Sequence, residues 1–441
     1  MRNILLLVCL VTAFIYHHPA NAQGNSLLWK IYGNGLENSS YLYGTMHLKD
    51  SRVFHFADSV MAKFEECEAL AMEVVLSDDV QLQLMKGLLM DSGYVLKKLL
   101  EVSQYDSIDT YCRKNLGYSI SQLDRLKPIY SSVILAQAKL SATSKFTEKE
   151  KFLDEYFQHL AIASKKNVFA LETVEEQLSV FDLLSYKQQA DLLMETVRTA
   201  PGDTLDLETL INLYLLNDLE NMMKFENDFN LPDSLYNSLF TRRNHHMTDG
   251  IDTMIRKQST FIAVGAGHLG GEEGLVNLLR RRGFNVIPII PTYNNYLADD
   301  WYRFTSKQNN FTVDMPSYPS TEIITTGEQS ANIYSCEIVD ETSVRLFVRV
   351  QQAEAINANN GFQRTGFMVC LKSIFGEHAE IALSNETQSS ANFRFTLVDK
   401  FRIRGTLYTN GHLYYILYCI HRRDIDKTKI ERFINSFKML S

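Results

Sequence analysis

The chain has 441 residues, ordinary shares of apolar, aromatic and charged side chains, and a formal net charge of −8. That length suggests two or three globular domains. The acidic balance, with no long basic run to grip a phosphate backbone, argues against nucleic acid as a partner.

The first 22 residues predict a cleavable secretory signal. Met1-Arg2-Asn3 is a short positive region, Ile4 to Tyr16 is apolar, and Ala20-Asn21-Ala22 is an A-x-A site before Gln23. The apolar stretch is too short for a stable span. No later run is long enough, so the expected product is exported, periplasmic or secreted, with no stable membrane span. Cys67, Cys112, Cys336, Cys370 and Cys419 remain in the mature chain. Their number is odd and no C-x-x-C occurs, which argues against a cysteine metal site. Buried or optionally paired thiols are expected, with no pairing assigned.

Tyr41 to Tyr43 predicts a strand, followed by the turn Gly44-Thr45-Met46-His47-Leu48. A helix over Asp58 to Glu66 and a second strand over Ala69 to Leu76 follow. Helical periodicity then runs through Asp78 to Met90, Gln104 to Asn115, Tyr130 to Leu140 and Glu148 to Ser164. One strand interrupts it, Val168 to Leu171, closing on Glu172-Thr173, and Val174 opens a further helical stretch. Thr260 to Val264 is again strand-like and ends in Gly265-Ala266-Gly267-His268-Leu269. A helix over Glu272 to Arg282 is stopped by Gly283, as glycine stops helices. Asn285 to Ile290 is the next strand.

The two units share G-x-x-H-L after a strand and before a helix, which reads as a degenerate internal duplication. Gly265, Gly267 and Gly270 also spell G-x-G-x-x-G, but a dinucleotide site wants an acid at the end of the following strand. Here that strand ends Ile289-Ile290-Pro291, so the dinucleotide reading fails. The expected fold is an α/β domain over residues 23–295 with pseudo-duplicated β-turn-α-β units and a large helical insertion. From about residue 300 the runs "FTVDMP", "SVRLFVRVQ" and "RFTLVDKFRIRGTLYTNGHLYYILYCI" alternate as strands do, with Thr-Asn-Gly as a hairpin turn. A helix over Lys427 to Leu440 closes a separate β-rich α+β domain, residues 300–441, in which His378 and His412 suggest no site.

In an α/β sheet, loops after the carboxyl ends of parallel strands build the site. The G-x-x-H turns place His47 and His268 there, with glycine allowing a sharp turn or close approach. Glu73 lies near the end of the strand after His47, and Glu172 ends another. Two histidines and a carboxylate suit a divalent transition metal with open positions, although a lone histidine after a strand is more often a hydrogen-bonding loop residue. Arg243 with Asn244 could clamp a carboxylate or stabilise an oxyanion; a helical surface charge run is the plainer reading. His245 and His246 sit at adjacent helix positions that point apart, so they are read as bystanders. H-E-x-x-H, G-x-S-x-G and a P-loop lysine are all absent.

The paired turns, the strand glutamate, "LDEYFQHLAIASKKNVFALETVEEQL" and the Arg243-Asn244 pair resemble the TraB/PrgY/GumN family, which includes the Tiki proteins. The resemblance covers roughly Leu27 to Pro291. It implies a core similar to erythromycin esterase-like and ChaN-like proteins and a metal-dependent hydrolase, a peptidase where activity has been assigned. It places the family's pattern on Gly44, His47, Gly265, His268, Glu73 and Arg243, with manganese or cobalt as the favoured metal and zinc as an alternative. Arg242 stands where an acid is expected, and the Tiki members are membrane-tethered.

Three functions follow. The first is an exported metallopeptidase in which His47 and His268 bind the metal, Glu73 is third ligand or general base, and Arg243 with turn amides stabilises the oxyanion. The second is metal-free hydrolysis with a histidine general base positioned by Glu73. The third is a binding protein holding a peptide, metal or haem-like ligand, with an unknown partner for the last domain.

Overall fold

Three strands in which every residue is buried form the centre of the first unit: β2 (Ser40–Thr45), β3 (Ala69–Met72) and β5 (Thr260–Gly265). Such continuous burial marks parallel strands covered on both faces. With β1 (Leu28–Tyr32), β4 (Asn167–Ala170) and β6 (Asn285–Pro288) they make a six-stranded sheet of order β4-β3-β5-β2-β1-β6. Neighbours β4, β3, β5 and β2 are mutually parallel. β1 runs against both β2 and β6. The computed structural model describes residues 26–143, 152–198, 207–227, 233–295, 297, 301–316, 318–326, 329–338, 344–353, 363–396, 401–421 and 427–440. The expected signal segment lies outside them.

Helix α1 (Asp58–Glu66) joins β2 to β3. The helical insertion then holds α2 (Asp78–Gly87), α3 (Leu96–Leu99), α4 (Val102–Asn115), α5 (Pro128–Thr143) and α6 (Leu153–Ala163) before β4. After β4 come α7 (Val174–Ser179), α8 (Tyr186–Arg198), α9 (Leu207–Leu215), α10 (Leu219–Asn227) and α11 (Asp233–Tyr236). A π-helical turn, Asn237–Thr241, leads into α12 (Arg242–Ile255), and α13 (Leu275–Arg281) precedes β6. α6 packs one face on the sheet. Its Phe157 stacks on Phe261 at 5.6 Å and meets Tyr43 and Phe64 at 5.7 and 5.8 Å. Aromatic pairs of this kind add about 0.5–1.5 kcal/mol each beyond burial.

The chain divides into two compact units, Met1–Thr292 and Tyr293–Ser441. The second holds a seven-stranded antiparallel sheet of order β12-β13-β14-β15-β11-β10-β9 and a three-stranded one, β16-β8-β7. The strands are β7 (Tyr302–Ser306), β8 (Phe311–Met315), β9 (Ser320–Thr326), β10 (Gln329–Ile338) and β11 (Val344–Gln352), then β12 (Ala382–Ser384), β13 (Ser390–Thr396), β14 (Arg402–Thr409), β15 (Leu413–His421) and β16 (Lys438–Met439). Helix α14 (Gln363–Phe375) packs Phe367 and Leu371 into a core with Phe393, Leu407 and Ile416. Gly411 takes φ +89° in the Thr-Asn-Gly hairpin, the left-handed conformation that turn needs.

Several boundaries differ from the expected ones. The strand from Ala69 stops at Met72, and the next side chain, that of Glu73, accepts the Gly265 N–H. The helix expected from Glu272 starts at Leu275, after a glycine turn so tight that a Cβ on Gly274 would lie 1.9 Å from the Gly270 carbonyl oxygen. The terminal helix, α15 (Lys427–Ser436), ends four residues short of Leu440 because Lys438 and Met439 pair with β8. All five described cysteines are buried, and burial pushes the Cys67 thiol up to about 12. Among the described residues no helix is long and apolar enough to cross a membrane.

Candidate active site

The register of four parallel strands brings the sequence candidates to one edge. Thr45 of β2 pairs with Gly265 of β5, so the two G-x-x-H turns leave the sheet side by side. Met72 pairs with Ala263 on one side and Ala170 on the other, which sets Glu73 and Glu172 beside those turns. Gly44 is where the turns touch. A Cβ there would lie 2.7 Å from Leu269 Cδ1 and 2.9 Å from Ala266 Cα, so only glycine lets them approach. Its carbonyl oxygen accepts the Tyr214 hydroxyl at 3.0 Å. Gly267 is buried in the short helical turn Ala266–His268.

Glu73 is the hub. Its Oε1 accepts the Gly265 N–H at 2.7 Å, and its Oε2 accepts Arg243 Nη2 at 2.7 Å and Gln177 Nε2 at 2.9 Å. On the remaining side of Oε1 stand His47 Nε2 at 3.7 Å and His268 Nε2 at 3.8 Å. Burial pushes the Glu73 carboxyl up, but His47 and the Arg243 guanidinium reverse this and hold it well below the usual carboxylate range. Arg243 also grips Glu172, Nε to Oε1 at 2.8 Å and Nη2 to Oε2 at 2.5 Å, while Nη1 donates to the Leu239 carbonyl. Burial raises the Glu172 carboxyl in spite of that arginine.

The two imidazoles differ. His268 is wholly buried, against the Phe240 ring at 5.6 Å. Its Nδ1 lies 2.6 Å from Asn244 Oδ1, and Asn244 Nδ2 donates to the Glu273 carbonyl oxygen. A carbonyl only accepts, so the amide orientation is fixed and His268 carries its proton on Nδ1. Its Nε2 has no hydrogen-bond partner. Burial lowers its pKa to about 3, which leaves it neutral. His47 is 37 % exposed at the side chain, and its Nδ1 sits 2.6 Å from Asp154 Oδ2. Burial of the ring works downward, yet Asp154 and then Glu73 lift its pKa well above the ordinary histidine value.

His47, His268, Glu73, Arg243, Asn244 and Glu172 therefore meet. His245 and His246 do not join them: both are exposed, His245 Nε2 2.6 Å from Glu273 and His246 Nε2 3.9 Å from Glu176. His378 and His412 lie exposed in the second unit. Asp154, Thr45 and Gln177 complete the site without having been singled out from the sequence. Asp154 and Gln177 both fall in the stretch that carries the family resemblance. Among the described residues no group of three or more His, Cys, Asp or Glu side chains stands arranged to hold a metal ion.

Paired histidines and a buried carboxylate thus stand together at the carboxyl edge of the parallel strands of an α/β sheet. The chain belongs to the TraB/PrgY/gumN family, whose model matches residues 27–288. It is 26 % identical over 312 residues to "Metalloprotease TIKI1" of Danio rerio, covering 59 % of this chain and 63 % of that one. It is 22 % identical over 341 residues to "Metalloprotease TIKI homolog" of Amphimedon queenslandica, covering 65 % and 66 %. An uncharacterized protein of Treponema pallidum (strain Nichols) is 22 % identical over 282 residues, covering 58 % and 80 %. The chain thus spans less than two thirds of the length of the first two relatives. No solved structure matches it.

Proposed function

We propose that this protein is an exported metal-dependent hydrolase acting on peptides or proteins. The observation that carries the reading is His268 Nε2, a buried lone pair with no partner, 3.8 Å from an ionised carboxylate oxygen. Two electron-rich atoms facing each other away from water repel. A cation between them turns that repulsion into bonding.

The donors suit a divalent ion. His47 Nε2, His268 Nε2 and Glu73 Oε1 would hold it, two nitrogens and one oxygen with room for a further position, as in catalytic sites. Metal–nitrogen bonds of about 2.0–2.1 Å put neighbouring tetrahedral donors roughly 3.3 Å apart. The observed separations of 3.7 and 3.8 Å are only slightly wider. Two carboxylates, of Glu73 and Glu172, share the one Arg243 guanidinium, and a third, of Asp154, stands against His47, an excess of negative charge that a divalent cation balances. Manganese or cobalt is favoured by the resemblance, and zinc suits the same donors. The ion would supply Lewis acidity toward a carbonyl and ease deprotonation of an attacking water.

Arg243 serves by fixing Glu73: its Nε and Nη2 already donate to carboxylates, so it is not free to meet a substrate oxyanion. Amides of the two turns remain for that role. The exposed edge of His47 is where substrate would enter. The similarity of the turns is consistent with the two units being copies of one ancestral element, in the manner of ChaN-like cores. The metalloprotease names of the relatives favour a peptide bond as the target.

Metal content and hydrolysis of a peptide library, measured on wild type, His47→Ala and His268→Ala, test the reading. The expected result is about one ion per chain in wild type, with ion and turnover lost in both variants. Full turnover in both would overturn it. A metal-free mechanism is favoured by one observation, the His47–Asp154 pair, which resembles an acid–base dyad; chelator-resistant turnover is its mark. Tight ligand retention without turnover would instead mark a binding protein. Export rests on residues 1–22, and a mature amino terminus at Gln23 is expected from N-terminal sequencing of protein recovered outside the cytoplasm. An intact Met1 in that fraction would remove it.

A further inference from the structure

We propose that Asp154 is a positioning residue, which with Thr45 fixes the tautomer and the aim of His47 so that the Nε2 lone pair is presented beside the Glu73 oxygen, where a metal ion would be held. The inference rests on the metal reading for its purpose, though not for its test.

Asp154 is the second residue of α6, one step from Leu153 and three before Phe157, both fully buried. The apolar face of α6 is locked on the sheet by the Phe157 aromatic contacts, so the first turn of the helix is held over the end of β2. A carboxylate there is also favoured by the helix dipole. Asp154 Oδ1 accepts the hydroxyl of Thr45, the last residue of β2, in a short contact. Its Oδ2 lies 2.6 Å from His47 Nδ1, an ion-pair contact that is not aligned as a hydrogen bond. At that separation a nitrogen lone pair facing the carboxylate oxygen would repel it, which favours the tautomer with the proton on Nδ1. The neutral ring then carries its lone pair on Nε2, the atom beside Glu73.

His268 is treated in parallel: Asn244 claims its Nδ1 and leaves Nε2 free. Both rings thus have Nδ1 engaged by a helix side chain and Nε2 turned toward one carboxylate oxygen. A partner on the far nitrogen is how metal-binding histidines are usually oriented. The partners differ in what they tolerate. A carboxylate only accepts, whereas an amide at position 154 can turn its N–H₂ toward Nδ1 and stabilise the opposite tautomer, the effect known for an aspartate-to-asparagine change behind a catalytic histidine.

The experiment compares wild type, Asp154→Asn and Thr45→Val. Histidine ¹⁵N shifts are recorded on metal-free protein at a pH where His47 is neutral, and zinc and manganese affinities by chelator competition. The expected result is an Nδ1–H ring in wild type, an Nε2–H ring in Asp154→Asn, and a metal affinity lowered about 10- to 100-fold. Thr45→Val, which keeps the carboxylate and frees it, is expected to give a mixture of tautomers and a smaller loss. An unchanged tautomer in Asp154→Asn overturns the proposal, whatever the metal does. A switched tautomer in a protein that binds neither ion upholds the positioning role and rejects the metal reading. If Asp154→Asn fails to fold, the tautomer in Thr45→Val decides: a ring identical to wild type overturns the proposal.

Discussion

Replacing Glu73 with glutamine is expected to remove about 3–5 kcal/mol of stability, the usual consequence of breaking a buried, hydrogen-bonded ion pair, and with it all turnover. Each carboxylate oxygen of Glu73 faces N–H donors: Gly265 at Oε1, Arg243 and Gln177 at Oε2. An amide has one accepting oxygen. Whichever way the new amide turned, its NH₂ would face an N–H that is itself a donor, and at least one buried donor would go unmet. Arg243 would keep Glu172 but lose half of its charge balance in a site that is nearly closed to water. The separation of the two effects is informative. Urea denaturation of the metal-free protein reads the structural part, and peptide hydrolysis at saturating metal reads the chemical part. Wild-type stability in Glu73→Gln would mean that the carboxylate is not ionised in the folded protein, and the hub described above would be wrong.

The parts of this site that could be read in the sequence are those whose signal is local. A strand that stops in G-x-x-H announces itself, and Glu73 follows from the next strand. The alternating runs of the second unit became β8, β11 and β13 to β15 for the same reason: side-chain period two needs no long-range information. What could not be read is pairing. Nothing local says that β5 inserts between β2 and β3, yet that insertion sets Gly265 beside Thr45 and Met72 beside Ala263. Asp154 was hidden by the same cause. As a sequence feature it is an acid in the first turn of a helix, which is common; its role depends on Thr45, 109 residues away. Arg243 carried a misleading signal. In a charge-rich helix it looks like a surface residue or a free clamp, whereas the π-helical turn before it and the fully buried Leu239 deliver it into the core. π-Turns often mark functional sites, and they leave no trace in hydrophobic periodicity.

Acidification from pH 6.5 toward 3 is expected to destabilise the metal-free protein progressively, with His268 setting the slope. Burial holds that ring neutral, with its pKa lowered from 6.5 to about 3. In the unfolded chain the same ring takes up a proton below about 6.5. Between these values the unfolded state binds more protons, so the contribution of His268 is fully present above pH 6.5 and drains away as pH falls, at roughly 1.4 kcal/mol per pH unit. Glu73, held well below its ordinary value of 4.5, acts in the same direction and enters only below that value. His47 has the opposite sign: its raised pKa contributes stability below 6.5 that is lost as pH rises through the folded value, so it leaves the acid limb alone. Between 6.5 and 4.5 His268 is opposed by Glu172, whose carboxyl is raised by burial and which therefore contributes with the opposite sign. As pH falls across that window, urea midpoints should drop more in wild type than in His268→Asn, whose amide does not titrate, and the difference reads His268. Parallel slopes in the two proteins would mean that the ring is protonated in the fold. It would then have no lone pair on Nε2 to offer a metal, and the Asn244 contact that fixes its tautomer would carry no functional meaning.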